Sequence, residues 1–470
     1  MGARSWFGST AAIALLALAG CDTLSPAGSF SQVAATVEAR TGQQISWDAG
    51  QYEDPVVRST IENLLSQQIT PEIAVQVALL NNRELQALYA DIGVAQANLV
   101  QSGLWKNPIL DGAVTFPTGG GAPDYAFDVT LKLIDILYIP LRRRVAQSEL
   151  EEAKLRVTGQ VMAVAGRTLL AFYDYVGQRQ AVGALTQSLK AVTATVEAAK
   201  VLRKAGNITE YEFELEVSQQ VRVAAELALG QSRAAESRER LNRLLGVTGS
   251  QTEWSSADRL PPIPGDDPPT DDVERRAIEA SIDLALARQR IITTGRRYRV
   301  VNITSIVPQL DVGGTFERVI DEKEAGPIFT AEIPLFDRGE ARRASARMEI
   351  RKQQDEFTAL AVRIRSFARL DRAQLLFARQ TARYNSTAVL PQSQRLLDSA
   401  KRQQNAMQIG VFELLQARDR QIRAAQDYVT SLATYWRSRA RLGQILSGKL
   451  PEEQESAGGT VATMQTASGE

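Results

Sequence analysis

The chain has 470 residues, of which 44% are apolar, so it can bury a sizeable core or build one elongated repeat structure. Lysine plus arginine equals aspartate plus glutamate at 54 each, and this zero formal net charge gives no bulk attraction for nucleic acid. Histidine is absent and Cys21 is the only cysteine, which excludes histidine-dependent triads and histidine-ligated metals. Carboxylate-only chemistry or a Mg²⁺ site stays open from composition alone. We predict a protein that is not an enzyme and holds no metal or cofactor.

The first 21 residues have the pattern of an export signal. Arg4 supplies a positive charge, and residues 11–19 form an apolar run that is shorter than the about 20 residues needed to cross a bilayer. Leu18-Ala19-Gly20-Cys21 resembles the lipobox of bacterial lipoproteins, in which diacylglycerol is attached to the thiol and the new amine is acylated. The sequence therefore predicts a signal peptide at 1–20 and lipid attachment at Cys21. The alternative is an ordinary secretory signal with a chance cysteine.

The chain repeats itself after 200 positions. Identical residues recur without a gap, as in Pro108 and Pro308, Thr115-Phe116 and Thr315-Phe316, Arg142-Arg143 and Arg342-Arg343, and Glu149 and Glu349. Such a period indicates two structural copies. We predict a lipidated segment at 21–68, a first repeat at 69–248, a linker rich in proline and aspartate at 249–272, a second repeat at 273–448 and a disordered tail at 449–470.

Each repeat begins with a helix and continues with a β-hairpin. In the first repeat, Thr70 and Pro71 give a helix start, and the strand residues after Asp124 alternate between apolar and polar. We place the hairpins at about 109–133 and 309–336, with glycine-containing loops at Thr118-Gly119-Gly120-Gly121 and Gly326-Pro327. The predicted apolar face consists of Tyr125, Phe127, Val129, Leu131, Phe329 and Ile333. The predicted polar face consists of Asp128, Thr130, Lys132 and Glu332.

After each hairpin the sequence predicts a long helical hairpin, at 141–246 and at 340–447. In the second copy an apolar residue recurs every seven positions, which is typical of coiled-coil packing. This series is Leu415, Ile422, Val429, Trp436 and Gly443. We place the turns at 204–207 and at 408–410, because glycine is the usual residue just after a helix end.

Four strands with one apolar face cannot close a barrel alone. Open strand edges would expose unpaired backbone groups to lipid, and single-chain barrels begin at about 8 strands. Several subunits would therefore have to share one barrel. The alternative is a soluble β-layer that caps a helical bundle.

Four segments resemble the TolC-like outer membrane efflux protein family. They are Thr70-Pro71-Glu72-Ile73-Ala74-Val75, Ala78-Leu79-Leu80-Asn81-Asn82-Arg83-Glu84-Leu85, Trp105-Lys106-Asn107-Pro108 and Ile333-Pro334-Leu335-Phe336-Asp337-Arg338-Gly339. The resemblance implies a mainly α fold with a small β part. It also implies a homotrimer with a twelve-stranded outer-membrane β-barrel and a periplasmic α-helical tunnel. The chain departs from the family at Asn81-Asn82, where Asn-Pro is usual, and at the first strand-to-helix junction, which lacks glycine.

The resemblance also implies partners and a site. A periplasmic adaptor (membrane fusion) protein would dock on the two helical tips and connect the channel to an inner-membrane pump, here of the resistance–nodulation–division type. The first tip consists of Gly206, Asn207, Ile208, Thr209 and Glu210, and the second tip consists of Gly410, Val411, Phe412, Glu413 and Leu414. Glu413 and Asp419 are candidates for an acidic ring in the pore. In the alternative, Glu413 only stabilises a helix N-terminus.

We therefore expect a passive conduit for small-molecule export, lipid-anchored in the outer membrane and extending into the periplasm. A second hypothesis is a non-transporting periplasmic coiled-coil lipoprotein that acts as a spacer or adaptor. A third is a carboxylate-based hydrolase, but a repeating rod offers no visible pocket.

Overall fold

The computed structural model describes residues 25–48, 54–116, 118–119, 122–266, 270–305, 309–319 and 322–451. The predicted signal peptide and Cys21 lie outside these residues, as do Pro268 and Pro269 of the linker and all of the tail after Pro451. Predictions that concern them stay predictions.

The described chain is mainly helical with a small β part, as the sequence predicts. Its elements form two similar series. The first series is α1 (Ala27–Thr41), α2 (Pro55–Ser66), β1 (Gln68–Ile69), α3 (Pro71–Asn81), α4 (Arg83–Ser102), β2 (Ile109–Thr115), β3 (Asp124–Lys132), α5 (Leu133–Lys204) and α6 (Glu210–Leu245). The second series is β4 (Ser255–Ser256), α7 (Val273–Ala280), α8 (Ile282–Thr304), β5 (Leu310–Val319), β6 (Glu322–Ala331), α9 (Glu340–Tyr384), a π-helical turn (Asn385–Val389), α10 (Leu390–Asn405) and α11 (Val411–Leu446).

The long helices form one layer in the order α6, α5, α11 and α9–α10. The short helices α1, α3 and α7 pack against this layer, and the main hydrophobic core lies between them and the long helices. In that core Tyr173 stacks on Trp436 with ring centroids 5.1 Å apart. No helix in the described part of the chain is both long enough and apolar enough to cross a membrane.

The linker between the repeats is fastened to the helical layer. The indole of Trp436 donates to the Pro261 carbonyl at 2.8 Å, and the guanidinium of Arg379 donates to the carbonyls of Pro264 and Gly265 at 3.0 Å each. Trp254 is buried and donates through its indole to the layer as well. The segment therefore belongs to the packed side of the molecule.

The chain bends sharply between α3 and α4, and two asparagines join this bend to the end of α6. The Asn82 amide donates to the Leu244 carbonyl at 3.0 Å, and the Asn81 amide donates to the carbonyls of Leu245 at 3.0 Å and Gly246 at 2.9 Å. These carbonyls come at the helix end, where no backbone partner follows. A proline at position 82 could not supply this amide, so the departure from Asn-Pro has a structural role.

The second repeat builds the same junction with other residues. Ser281 begins α8 as Asn82 begins α4, and the N–H of Ile282 donates to the Gly448 carbonyl at 2.8 Å. Here Arg40 of α1 donates to the Ser447 carbonyl just after α11 at 2.9 Å, and to the Ala280 carbonyl at the end of α7 at 2.6 Å. A guanidinium from the N-terminal segment thus does what the two asparagine amides do in the first repeat.

Helix α5 begins at Leu133 and runs through Pro140, whereas the sequence predicted a start at 141. Proline ends many helices because it lacks the N–H and its ring clashes with a preceding carbonyl. Around this proline, Arg142 donates to the Asp135 carbonyl at 3.1 Å, so a side chain takes part in the backbone hydrogen bonding. The rule that proline ends a helix therefore gave the wrong start for α5.

The predicted loop at Gly326-Pro327 is wrong, because both residues lie inside β6 and pair with Thr315 and Gly314. The sheet order is β2-β3-β5-β6, so β6 is an outer strand. Proline is tolerated in outer strands because fewer of their N–H groups are needed for pairing. Ile333, predicted within the strand alternation, lies beyond the end of β6.

The predicted disordered tail also begins too early. Lys449 Nζ lies 2.7 Å from Oδ1 of Asp283, and the Leu450 N–H donates to Oδ2 of the same carboxylate at 2.9 Å. Pro451 is buried. One carboxylate on α8 therefore fixes the first residues after the second repeat.

Gly246 and Gly206 allow a matched test of the first junction. Both have left-handed φ values, +68° and +75°, but an added Cβ at 246 would lie 2.6 Å from the Asn81 carbonyl oxygen, while at 206 nothing lies within 4 Å. We expect Gly206→Ala to lower the free energy of unfolding by about 1 kcal/mol and Gly246→Ala by about 3 kcal/mol. Denaturation followed by circular dichroism, at equal protein and detergent concentrations, measures both. Equal losses would mean that the junction yields to the added methyl group.

Candidate functional site

One face of the four-stranded sheet is mostly apolar, with Arg318 and Lys323 at its end near the turn between β5 and β6. Pairing places Tyr125 opposite Arg318, Phe127 opposite Phe316, and Leu131 opposite Val312. Of the predicted apolar residues, Phe127 is 45% exposed, Val129 50%, Phe329 71% and Ile333 73%, while Tyr125 and Leu131 are half-buried. Sequence reasoning missed Leu110 and Phe316, which are exposed as well. An apolar surface of this kind on two neighbouring hairpins calls for an apolar partner or solvent.

The opposite face of the sheet is polar and mostly acidic. Asp111 lies opposite Asp128, and Lys132 lies opposite Asp311. Asp311 is buried and accepts a hydrogen bond from the Gln309 amide. Asp128, Thr130 and Lys132, predicted to line a lumen, share this face, whereas Glu332 follows the end of β6.

Both outer strands of the sheet are open on one side. In the order β2-β3-β5-β6, the strands β2 and β6 each have one neighbour among the described residues. Their outer backbone N–H and C=O groups are therefore available to pair with another strand.

The first tip is a tight turn between α5 and α6. Gly206 has a φ of +75°. Its N–H donates to the Arg203 carbonyl at 2.9 Å, and the Asn207 N–H donates to the Leu202 carbonyl at 2.9 Å, which is the Schellman pattern of a helix end. Gly206 therefore takes the left-handed position at the end of α5, as the sequence predicted.

The start of α6 is fixed by a capping box. The Glu212 N–H donates to the Thr209 hydroxyl at 3.2 Å, and the Thr209 N–H donates to the Glu212 carboxylate at 2.8 Å. Hydrogen bonds from the backbone and hydroxyl of Thr209 lower the pKa of Glu212. Arg203 lies over the Phe213 ring at 4.1 Å and pairs with Glu210 at 2.7 Å, so both ends of the turn are held.

The second tip has the same backbone with a different residue in the left-handed position. Met407 has a φ of +56°, its N–H donates to the Gln404 carbonyl at 2.9 Å, and the Gln408 N–H donates to the Gln403 carbonyl at 2.8 Å. Gly410, predicted at the helix end, is extended at φ −77° and precedes the first residue of α11. The prediction placed Gly410 at the end of α10 because it is the nearest glycine. In the structure Met407 takes the left-handed position there and makes the hydrogen bonds that end the helix.

Val411 begins α11, Phe412 lines a cavity just inside the tips, and the other two residues of the second tip have separate surroundings. Leu414, with Ile409, packs on the small apolar cluster of Leu397, Ala400 and Ala417. Glu413 is exposed in the first turn of α11, and its carboxylate reaches back over Gly410. This position suits stabilisation of the helix N-terminus.

A cavity of about 270 Å³ lies just inside the tips, between α5, α6 and α11. Glu216 and Asp419 both line it, and Arg423 pairs with Asp419 at 2.6 Å. Burial, and then the charge of Asp419, raise the pKa of Glu216. Sequence reasoning missed Glu216, because the period of one helix does not show which neighbouring helix a residue faces. The acidic ring at Glu413 and Asp419 stays a prediction.

No cluster of three or more cysteine, aspartate or glutamate side chains suited to a metal ion occurs among the described residues.

Solved structures of outer-membrane proteins match the chain over most of its length. The Campylobacter jejuni CmeC outer membrane channel matches with a TM-score of 0.69 at 14% identity, covering 87% of this chain and 92% of that chain. VceC of Vibrio cholerae matches with a TM-score of 0.62 at 14% identity, covering 83% and 97%. The open state of the Neisseria gonorrhoeae MtrE outer membrane channel matches with a TM-score of 0.59 at 14% identity, covering 84% and 90%. No family model and no curated protein matches the sequence.

The chain has the TolC-like channel fold. The resemblance predicted from Thr70-Pro71, Trp105-Lys106-Asn107-Pro108 and the 333–339 segment is therefore confirmed at the level of the fold. In this TolC-like fold, the tips lie at one end of α5 and the sheet at the other.

Glu216→Gln tests the acidic cavity. The pKa of Glu216 in the folded protein is raised above its ordinary 4.5, so folding favours the protonated carboxyl group. The free energy of unfolding therefore falls as pH rises through the raised pKa, where the carboxylate is charged in the cavity. We expect the variant to be more stable than the original protein by about 0.5 kcal/mol at pH 7.5, after allowance for solvent screening, with no difference at pH 4. Thermal unfolding at both pH values measures this. Glu214→Gln, at an exposed position of the same helix, is the control and should give no pH-dependent difference.

Proposed function

We propose that the chain is a passive outer-membrane channel that exports small molecules, assembled from three copies. The four-stranded sheet supports this best, because it combines an exposed apolar face with two open edges. In lipid every backbone polar group needs a partner, so an open sheet must close. Three copies would give a barrel of twelve strands, with Asp111 and Asp128 on the wet inner side.

The helices would continue the barrel as a tunnel through the periplasm. Helix α5 has 72 residues, which at 1.5 Å per residue is a length of about 108 Å. Its far end carries the first tip, and the second tip lies at the turn between α10 and α11. We propose that these tips meet a periplasmic adaptor that connects the channel to an inner-membrane pump. The proposed protein moves solutes and catalyses no reaction.

We also propose that Cys21 carries the lipid anchor. The proposal is supported by the lipobox-like Leu18-Ala19-Gly20-Cys21 after an apolar run, and by the absence of any other cysteine. Mass spectrometry of the mature N-terminus should find residues 1–20 removed and a diacylglycerol with an N-acyl group on Cys21. An unmodified thiol would contradict the proposal.

Two neighbouring residues of β6 test the barrel. Phe329 lies on the apolar face and Ile328 on the opposite face, opposite Val312 and Gly313 respectively. We expect Phe329→Asp to lower trimer insertion strongly, because a carboxylate would face lipid in each of three copies, at a cost below the about 2–4 kcal/mol of a lysine or arginine at the bilayer midplane. Ile328→Asp should leave a trimer, because it faces the wet side. Detergent-extracted trimers on native gels and bilayer conductance measure both variants.

A periplasmic spacer gives a different result. Such a protein would be an extended oligomer that stays in solution after lipid removal, would conduct no ions, and would tolerate both substitutions equally. That outcome would contradict the channel proposal and support the periplasmic spacer.

A further inference from the structure

A cavity of about 640 Å³ lies between α5, α6 and α11, beside the junction at Asn82. Arginines from three helices line it: Arg167 of α5, Arg240 and Arg243 of α6, and Arg437 and Arg441 of α11. The lining also holds two carboxylates, from Glu84 and Asp174. The lining therefore holds five guanidinium groups and two carboxylate groups.

The arginines face the side of the helical layer that lies away from the short helices. On α5, Ala165 and Leu169 line a separate cavity next to Val75 of α3. Residues two positions apart on a helix differ by about 200°, so Arg167 points to the other side. On α11, Arg439 likewise lines the α3 side, whereas Arg437 lines the arginine cavity.

This side would be the lumen of a closed tunnel. The short helices and the linker are packed on the other side of the layer, and they would obstruct the lumen if they lay inside it. The arginine cavity would then open into the conduit, and three protomers would present three such cavities at one height.

Two carboxylates, one of them fully buried, hold part of the cluster in place. Arg441 Nε lies 3.5 Å from Oδ1 of Asp371, which is fully buried. Arg437 lies 3.5 Å from Asp174. Arg240 has only an exposed partner, Glu236 at 3.6 Å on the same helix. Among the described residues, no carboxylate lies within ion-pairing distance of Arg243, so Arg243 and the exposed Arg240 offer N–H donors to a solute.

We propose that this arginine cavity is a binding site for solutes that carry two or more anionic oxygens, such as phosphate or carboxylate groups. Guanidinium groups bind such oxygens in pairs through parallel N–H donors, and several of them on a concave wall can hold one solute from more than one direction. The inference rests on the proposed channel function, and it gives the conduit a substrate preference for polyanionic solutes at mid-tunnel.

Calorimetry with inorganic pyrophosphate tests the site in the purified, detergent-solubilised trimer. The substitution pair Arg240→Gln and Arg243→Gln removes two exposed guanidinium groups and spares Arg441, whose loss would leave Asp371 buried without its partner. We expect pyrophosphate to bind at least about tenfold more weakly to this double variant, since both substitutions remove charge-assisted hydrogen-bond donors to its oxygens. Citrate should compete with pyrophosphate, whereas nitrate should not.

Arg347→Gln is the matched control, because Arg347 is exposed on α9 and does not line the cavity. It should leave pyrophosphate binding unchanged. Equal affinity in the double variant and the original protein, or no binding to the original protein, would overturn the inference.

Bilayer recordings separate this inference from the channel proposal. A conducting trimer without pyrophosphate binding would keep the channel and remove the arginine site. Pyrophosphate binding by a trimer that conducts no current would keep the site and remove the channel. If both hold, millimolar pyrophosphate should reduce the conductance of the original channel and affect the double variant less.

Discussion

The unpaired backbone groups along the outer strands β2 and β6 set the conditions for the rest of the molecule. The sheet between them exposes Phe127 and Phe329 on one face, and lipid is the solvent that such a face favours. In lipid an unpaired N–H or C=O group costs several kcal/mol, so each sheet needs neighbours at the same height and tilt. A rigid base can provide this alignment. The helical layer is such a base, because its two mid-length junctions are fastened by Asn81, Asn82 and Arg40.

Much of this fold could be predicted from periodicity. The period of two in β3 identified one apolar and one polar face, and the structure keeps both. The period of seven in α11 identified core positions at Ile422, Val429 and Trp436, which are buried, whereas Leu415 is half-buried and Gly443 is exposed. These predictions succeed because a buried face repeats the same apolar spacing along the whole helix or strand. Many residues therefore give independent evidence for which face is buried.

Predictions that rested on a single residue type did less well. Pro140 and Pro327 were taken as boundaries, yet one lies inside a helix and the other inside an outer strand, where tertiary pairing tolerates them. Gly410 was placed at a helix end that Met407 occupies. The arginine cavity was not predicted, because its members come from three helices and only their packing brings Arg167, Arg243 and Arg437 together. The sequence shows each arginine but not its neighbours.

The π-helical turn at 385–389 accounts for a difference in length between the two repeats. Glu349 follows Glu149 by 200 positions, but Met407 follows its structural counterpart Gly206 by 201. A π turn closes its hydrogen bonds one residue further along than an α turn, so it accommodates one additional residue. The insertion lies directly before Pro391, whose missing N–H leaves an α-helical bond unmade at this turn. The second copy therefore holds one more residue than the first between these two points, and the π turn accommodates it within the helix.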